Sequence, residues 1–383
     1  MGVWVNMKKA LLVTTISGFV PQFEMNSVRL LQENNYEVHY ATNYNNVFYG
    51  KDNSKLDGTG IVRHQIDFSR TPYSKQTFIA FRQLDKLIKD NSFDVIHCHT
   101  PIGSFLARYL GDRHHVKTII YTAHGFHFYQ GAPLVNRVIY KTAERLMAHH
   151  TDALITINQE DYKNACSFKY RNQGKPYFLH GAGIDTKRFS VIVDRSKKRK
   201  ELDIGEKDFV ILSVGELNKN KNHETIIRVL STMECSNIKY LICGEGESKS
   251  ALTKLIIDSG LQDCVRLLGY RNDIPDICCI SDIFVFPSYR EGLPIALMEA
   301  MATGLPAVAS EIRGNVDLIE NGVNGYLVNM NNPSDWRSRI QELMSDGGLR
   351  KSMHDANKVK MQKYDKLKTK EELRKIYEEL NLI

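Results

Sequence analysis

Residues 281–309 read Ser281-Asp-Ile-Phe-Val-Phe-Pro-Ser-Tyr-Arg-Glu291-Gly-Leu-Pro-Ile-Ala-Leu-Met-Glu299-Ala-Met-Ala-Thr-Gly304-Leu-Pro-Ala-Val-Ala309. The apolar run before Pro287 has the length and composition of a short buried strand. Gly292 and Pro294 then mark a helix start, because proline is tolerated in a first turn where no internal N–H bond is required. The spacing puts Glu291 in the strand-to-helix turn and Glu299 about two turns along the helix. The amides around Gly292, Leu293 and Pro294 face that turn, and a helix N-terminus favours phosphate. Carboxylates that can grip hydroxyls therefore stand beside amides that can grip a diphosphate, which suits a nucleotide-sugar. An ordinary strand–turn–helix with two surface glutamates has the same spacing, so spacing alone leaves both readings open.

Working outward, apolar β-rich runs alternate with amphipathic helical stretches along the whole chain. Strands are expected at Ala10–Thr15, Glu37–Ala41, Val62–Ile66, Val95–Cys98, Thr118–Tyr121 and Ala153–Ile157. Helices are expected at Gln22–Asn34, Lys75–Lys89 and Leu134–His149. A polar stretch, Arg188–Lys207, interrupts the pattern, and its run Arg195-Ser-Lys-Lys-Arg-Lys200 reads either as a solvated linker or as a contact for anionic membrane. Strands resume at Phe209–Val214, Ile238–Cys243, Val265–Leu267, Ile283–Phe286, Ala307–Ala309 and Tyr326–Val328. Continuous apolar strands alternating with helices imply parallel sheets covered on both faces. The expected architecture is α/β: two Rossmann-like domains, 1–190 and 205–365, facing across a cleft, with a C-terminal helix in 366–383 crossing back to the first.

Composition sets bounds. A chain of 383 residues with 42% apolar content is long enough for two cores, and 25% charged residues argues against global disorder. A net charge of +7 fits an anionic ligand or membrane surface without demanding nucleic acid, for which no reading module is apparent. Seven cysteines without a C-x-x-C pair fit a reducing cytosol. The opening stretch imitates a signal peptide, but its apolar run is short and continues into a strand-to-loop pattern; it is read as the first core strand, with Met7 as an alternative start.

Ligands of such sheets bind beyond the carboxyl ends of the strands. In Val214-Gly215-Glu-Leu-Asn-Lys219-Asn-Lys221, two lysines in a Gly- and Asn-rich loop are placed to neutralise a leaving diphosphate. Gly244-Glu-Gly246 lacks the third glycine of a dinucleotide fingerprint, so NAD is not expected. His97-Cys-His99 has zinc-like spacing, but no nearby set completes a tetrahedral site in the sequence; His97 is expected to pack and His99 to face the cleft. No Gly-x-Ser-x-Gly elbow and no Asp-x-Asp triplet occurs.

The string from Glu291 through Glu-Gly-Leu-Pro to the trailing Ala-Thr-Gly-Leu-Pro-Ala-Val-Ala resembles the E-x7-E signature of the family 4 retaining glycosyltransferases of GT-B fold. The likeness extends to the Gly18 loop, the His124 loop and Leu179-His-Gly-Ala-Gly-Ile-Asp185, and is nearest to bacterial capsule and exopolysaccharide enzymes. It implies catalytic roles for His124, Lys221 and Glu291. Donor contacts are implied for Gly18, Gly215, Lys219, Gly244, Tyr270, Arg271, Gly292, Leu293, Pro294 and Glu299, with His99 and His127 on the acceptor side. One departure stands out, since Glu216 occupies the position where the family usually has arginine. The implied reaction moves a hexose or N-acetylhexosamine from a UDP-sugar to a polyprenyl-diphosphate-linked glycan. The implied setting is the inner face of the cytoplasmic membrane, with an anionic surface as partner, no metal, no cofactor and no nucleic acid. A sugar-nucleotide 2-epimerase and an inactive nucleotide-sugar-binding subunit are the alternatives.

Overall fold

The computed structural model describes residues 7–47, 52–71, 74–191 and 193–383. The leader-like stretch ahead of Met7 lies outside them. The chain divides into two compact units, the first running to Ala182 and joined by Thr369–Ile383, the second spanning Gly183–Lys368.

The first unit is built on β1 (Lys8–Val13), β2 (Tyr36–Thr42), β3 (Val62–Gln65), β4 (Val95–Cys98), β5 (Thr118–Ala123), β6 (Ala153–Thr156) and β7 (Lys175–Phe178). All pairings are parallel, in the order β3-β2-β1-β4-β5-β6-β7. Alternate residues feed opposite cores: Leu11, Val13, Ile96 and Cys98 enter one, Ala10, Leu12 and Val95 the other. This is why the strands read as unbroken apolar runs. β7 was not among the expected strands. Its Lys-Pro-Tyr-Phe sequence has little apolar signal, and proline is accepted because the strand lies at the sheet edge. The helix Lys366–Glu379 buries Leu373, Ile376 and Tyr377 in the second of these cores, so the C-terminal crossing expected from sequence is present.

The second unit contains β8 (Phe209–Val214), β9 (Ile238–Cys243), β10 (Val265–Gly269), β11 (Ile283–Phe286), β12 (Ala307–Ser310) and β13 (Gly325–Val328), parallel in the order β10-β9-β8-β11-β12-β13. The basic stretch is not a solvated linker. Residues Arg195–Glu201 form a helix capped by Asp194, whose side chain accepts from the Lys197 amide. Lys198 is buried and pairs with Asp273 at 2.6 Å, and the Arg199 guanidinium donates to the carbonyls of Ile280 (3.2 Å) and Gly205 (2.9 Å). Two of its charges thus tie the unit together and are not presented to an external surface.

In each sheet the chain order reverses direction beside the first strand of the unit, between β1 and β4 and between β8 and β11. Such a switch point opens a crevice beyond the strand ends, where the connecting loops diverge to opposite faces.

Candidate functional site

At the switch point of the second unit, the loop after β8 meets the loop after β11. Lys221 Nζ lies 2.7 Å from Glu291 Oε1 and 4.8 Å from the centre of the Phe286 ring. The loops are fastened to each other by backbone and amide bonds: Tyr289 N donates to Asn220 O (2.8 Å), Asn220 Nδ2 to Arg290 O (3.0 Å) and Asn222 Nδ2 to Pro287 O (3.1 Å). Asn218 Oδ1 accepts from the Lys221 amide at 2.9 Å, which shapes the turn that carries the lysine. From the far side, Arg313 Nε donates to Glu291 O at 3.1 Å. Arg313, which follows β12 and is buried, adds a guanidinium beside Glu291 that sequence reasoning did not single out.

Two glycines make this approach sterically possible. A Cβ on Gly215 would stand 3.2–3.3 Å from the methylenes of Lys221. Gly314, at φ +82°, would place one 2.4 Å from Gly292 O, against the turn that carries Glu291. Gly244 has a related role: its Cβ would fall 1.9 Å from Gly215 O, so Gly-x-Gly serves loop-on-loop packing.

The helix after Glu291 runs Ile295–Ala302, with Pro294 at its cap and no side chain capping its amides. Glu299 is therefore just over one turn into the helix, nearer the start than the expected two turns, because the proline sits at the cap and not in the first turn. Burial pushes the Glu299 carboxyl up to about 7, against a smaller lowering by Arg188. Leu293 and Pro294 are buried and Gly292 is half-buried. Glu216 points outward, its carboxylate accepting from Asn218 Nδ2 at 2.9 Å, and Lys219 is exposed. Tyr270 is 70% exposed. Arg271 is held by Asp273 through Nε at 2.8 Å and Nη2 at 2.5 Å, so its guanidinium is engaged within its own loop.

In the first unit the loops after β1, β4 and β5 converge. Gly18 lies buried in the turn after β1, which winds into a π-helical turn, Val20–Glu24. That turn aims Glu24 inward. Its Oε1 lies 3.2 Å from His124 Nε2 and 3.5 Å from His99 Nδ1, and those two nitrogens are 3.4 Å apart. Ser27 Oγ donates to the other carboxylate oxygen at 2.7 Å. Burial opposes charge here, but the imidazoles of His99 and His124 outweigh it for Glu24, whose carboxyl lies below the usual range. Burial holds His99 well below the ordinary histidine value.

His99 is fully buried, a correction to its expected exposure to a cleft: Phe19 and the neighbouring His97 ring cover it. His97 packs as expected, with Nδ1 2.8 Å from Tyr377 Oη and Nε2 2.7 Å from Thr122 Oγ1. The next residue after His99, Thr100, has φ +62°, a conformation β-branched residues rarely hold. Its Oγ1 accepts from Thr15 N at 2.9 Å, which ties the loops after β1 and β4 together. The His124 loop is pinned by Asp161, which accepts from Phe126 N at 2.9 Å. His127 is exposed and its ring lies 5.2 Å from that of Tyr140, outside the cluster. Glu24 was missed in the sequence, where it looks like an ordinary acid early in an amphipathic helix.

Comparison with known proteins matches both halves to glycosyltransferase families. Residues 8–158 match the family described as Glycosyl transferase 4-like, and residues 194–360 match Glycosyl transferases group 1. The chain is 31% identical to a putative glycosyltransferase, EpsD, of Bacillus subtilis over 97% of this chain and 96% of the relative. It is 30% identical, over 69% of each chain, to the Escherichia coli UDP-Gal:alpha-D-GlcNAc-diphosphoundecaprenol alpha-1,3-galactosyltransferase. Among solved structures, Anabaena HepE in complex with UDP superposes with a TM-score of 0.78 at 17% identity, covering 97% of this chain and all of that one.

Proposed function

The chain belongs to the glycosyltransferases, and from that premise we propose that it is a retaining, family 4 enzyme. The proposed reaction moves a hexose or N-acetylhexosamine from a UDP-sugar to a glycan carried on a polyprenyl diphosphate, in surface polysaccharide synthesis. The observation that carries this reading is the 2.7 Å pair of Lys221 and Glu291 at a switch point, with a helix start behind it. A lysine and a carboxylate that neutralise each other in the free protein are placeholders for a ligand carrying both an anion and hydroxyls. The diphosphate takes the lysine, and sugar hydroxyls take Glu291. Glu299 accepts from the ribose.

As the glycosidic bond breaks, charge grows on the departing diphosphate, where Lys221 and the amides after Gly292 lower its energy. The leaving oxygen then takes the acceptor proton on the same face, so neither glutamate acts as a nucleophile, unlike the carboxylate pair of a glycosidase. His124 is assigned to the acceptor side. The E. coli relative, named for a UDP-galactose donor and a diphosphoundecaprenol acceptor, supports the substrate classes. So does HepE, solved with UDP and glucose. The test is the anomeric configuration of the product: retention is expected, and inversion removes the mechanism. Incubation with UDP-N-acetylglucosamine alone addresses the epimerase alternative, which needs no acceptor.

The membrane partner is proposed on a different element from the basic run. The helix Leu134–Ala148 buries only Met147 and Ala148, leaving Leu134 75%, Val135 69% and Val138 66% exposed beside Arg137 and Arg145. An apolar face edged with cations is complementary to an anionic bilayer, where a lipid-linked acceptor resides. Among the described residues no helix is long and apolar enough to cross a membrane. Val138→Asp is expected to abolish sedimentation with phosphatidylglycerol vesicles; unchanged sedimentation contradicts this docking face.

A further inference from the structure

We propose that Glu24, His99 and His124 form a binding site for one divalent transition-metal ion, with zinc best matched to the donor set. The three residues come from separate loops, after β1, β4 and β5, and their ligand atoms form a nearly equilateral triangle with edges of 3.2, 3.4 and 3.5 Å. Three corners of a tetrahedron around zinc, with nitrogen and oxygen at about 2.0–2.1 Å, lie about 3.3–3.4 Å apart. A charge-assisted hydrogen bond between imidazolium and carboxylate is shorter, about 2.7–2.9 Å. The 3.2 Å edge is at the long end of an ordinary hydrogen bond, the other two are longer, and all three match the width that a shared cation requires.

The surroundings agree with this reading. Ser27 fixes Glu24 Oε2, so Oε1 is the oxygen turned toward the histidines. A buried carboxylate requires a compensating partner, and a dication supplies one while leaving both imidazoles neutral, as ligands must be. His99 Nε2 is buried without a hydrogen-bond partner, so the ring's polar contacts all pass through Nδ1 to the cluster. Both nitrogens of His97 are occupied by Tyr377 and Thr122, which removes it as a ligand and makes the His-x-His spacing misleading. A narrow, mostly apolar pocket, lined by Phe23, Ile157, Leu179 and Leu373, borders the two ligands Glu24 and His124. Three protein ligands, rather than four, is the count of a zinc site that keeps a position for water or a ligand. The proposal holds independently of the glycosyl-transfer reading.

The test is metal binding by the full chain, stripped with a chelator and titrated with Zn2+ by calorimetry and with Co2+ by visible absorption. One equivalent per chain is expected, with the intense d–d bands of tetrahedral cobalt. Glu24→Gln, which keeps the shape of the side chain, and His124→Asn, at a partly exposed position, are each expected to weaken Zn2+ binding more than about 100-fold. The separate pair of buried His39 and half-buried His64, 2.8 Å apart, is the control, and His64→Ala is expected to leave the stoichiometry at one. Absence of stoichiometric binding in the wild type overturns the site. So does wild-type affinity in Glu24→Gln or His124→Asn, or loss of the bound equivalent in His64→Ala.

Discussion

The two switch points of this molecule share a topology and differ in their chemistry. Beyond β1 and β4, side chains from three loops meet in a cluster in which Glu24 and His99 are buried and His124 is half-buried. Beyond β8 and β11, a long lysine reaches over a glycine to a glutamate, and both remain partly open to solvent. The first arrangement holds a small hard or borderline ligand rigidly. The second can part and re-form around a large ligand whose anion and hydroxyls replace the partners that Lys221 and Glu291 give up. The sheet decides where a site forms, and the loop chemistry decides what it takes.

The largest effect that can break this comparison comes from the second switch point. Lys221→Ala is expected to lower transfer roughly 100- to 1000-fold, the usual cost of removing one group that stabilises developing charge, and to weaken UDP binding in calorimetry. His124→Asn is expected to lower transfer while leaving UDP affinity within a few-fold of wild type. Equal losses of UDP affinity in both variants erase the distinction between a donor side and an acceptor side.

A smaller effect concerns pH. Burial raises the Glu299 carboxyl to about 7, above the ordinary carboxylate value of 4.5. The folded chain therefore binds more protons than the unfolded chain between those values, and stability falls as pH rises through that window. Glu299→Gln removes the cost, so its melting temperature should gain on wild type from about pH 4.5 to about pH 7 and then hold a constant lead. A pH-independent difference contradicts the burial argument. If the ionised carboxylate grips the ribose, UDP affinity of the wild type should also weaken below about pH 7.

The smallest effect is expected at Glu216. Its carboxylate is turned to Asn218 at the surface, so Glu216→Gln should change transfer by less than about threefold, in line with other exposed charges. A tenfold gain shows instead that this carboxylate repels the donor.

Every strand but β7, and the parallel character of the sheets, was legible because strands buried on both faces leave continuous apolar runs. The Lys221 and Glu291 loops were legible through family resemblance; their 70-residue separation hides the pairing from any local pattern. Glu24 was not legible. Helical periodicity from Gln22 onward aligns it with the buried Ser27, Val28 and Leu31, but nothing local signals its partners His99 and His124, 75 and 100 residues further along the chain. Lys198 and Arg199 were misread for a related reason: a basic run looks solvated until carbonyl and carboxylate partners some 75 to 81 residues away are brought against it. The exposed helix Leu134–Ala148 has ordinary amphipathic spacing, and its apolar face is distinguished only by the neighbours it lacks.

The most direct test of the account is UDP release from a panel of UDP-sugars with a lipid-linked glycan acceptor, comparing wild type with Glu291→Gln at matched melting temperature. The account predicts acceptor-dependent release for one donor in the wild type and a loss of about 100-fold or more in the variant. Equal release from both proteins would contradict it.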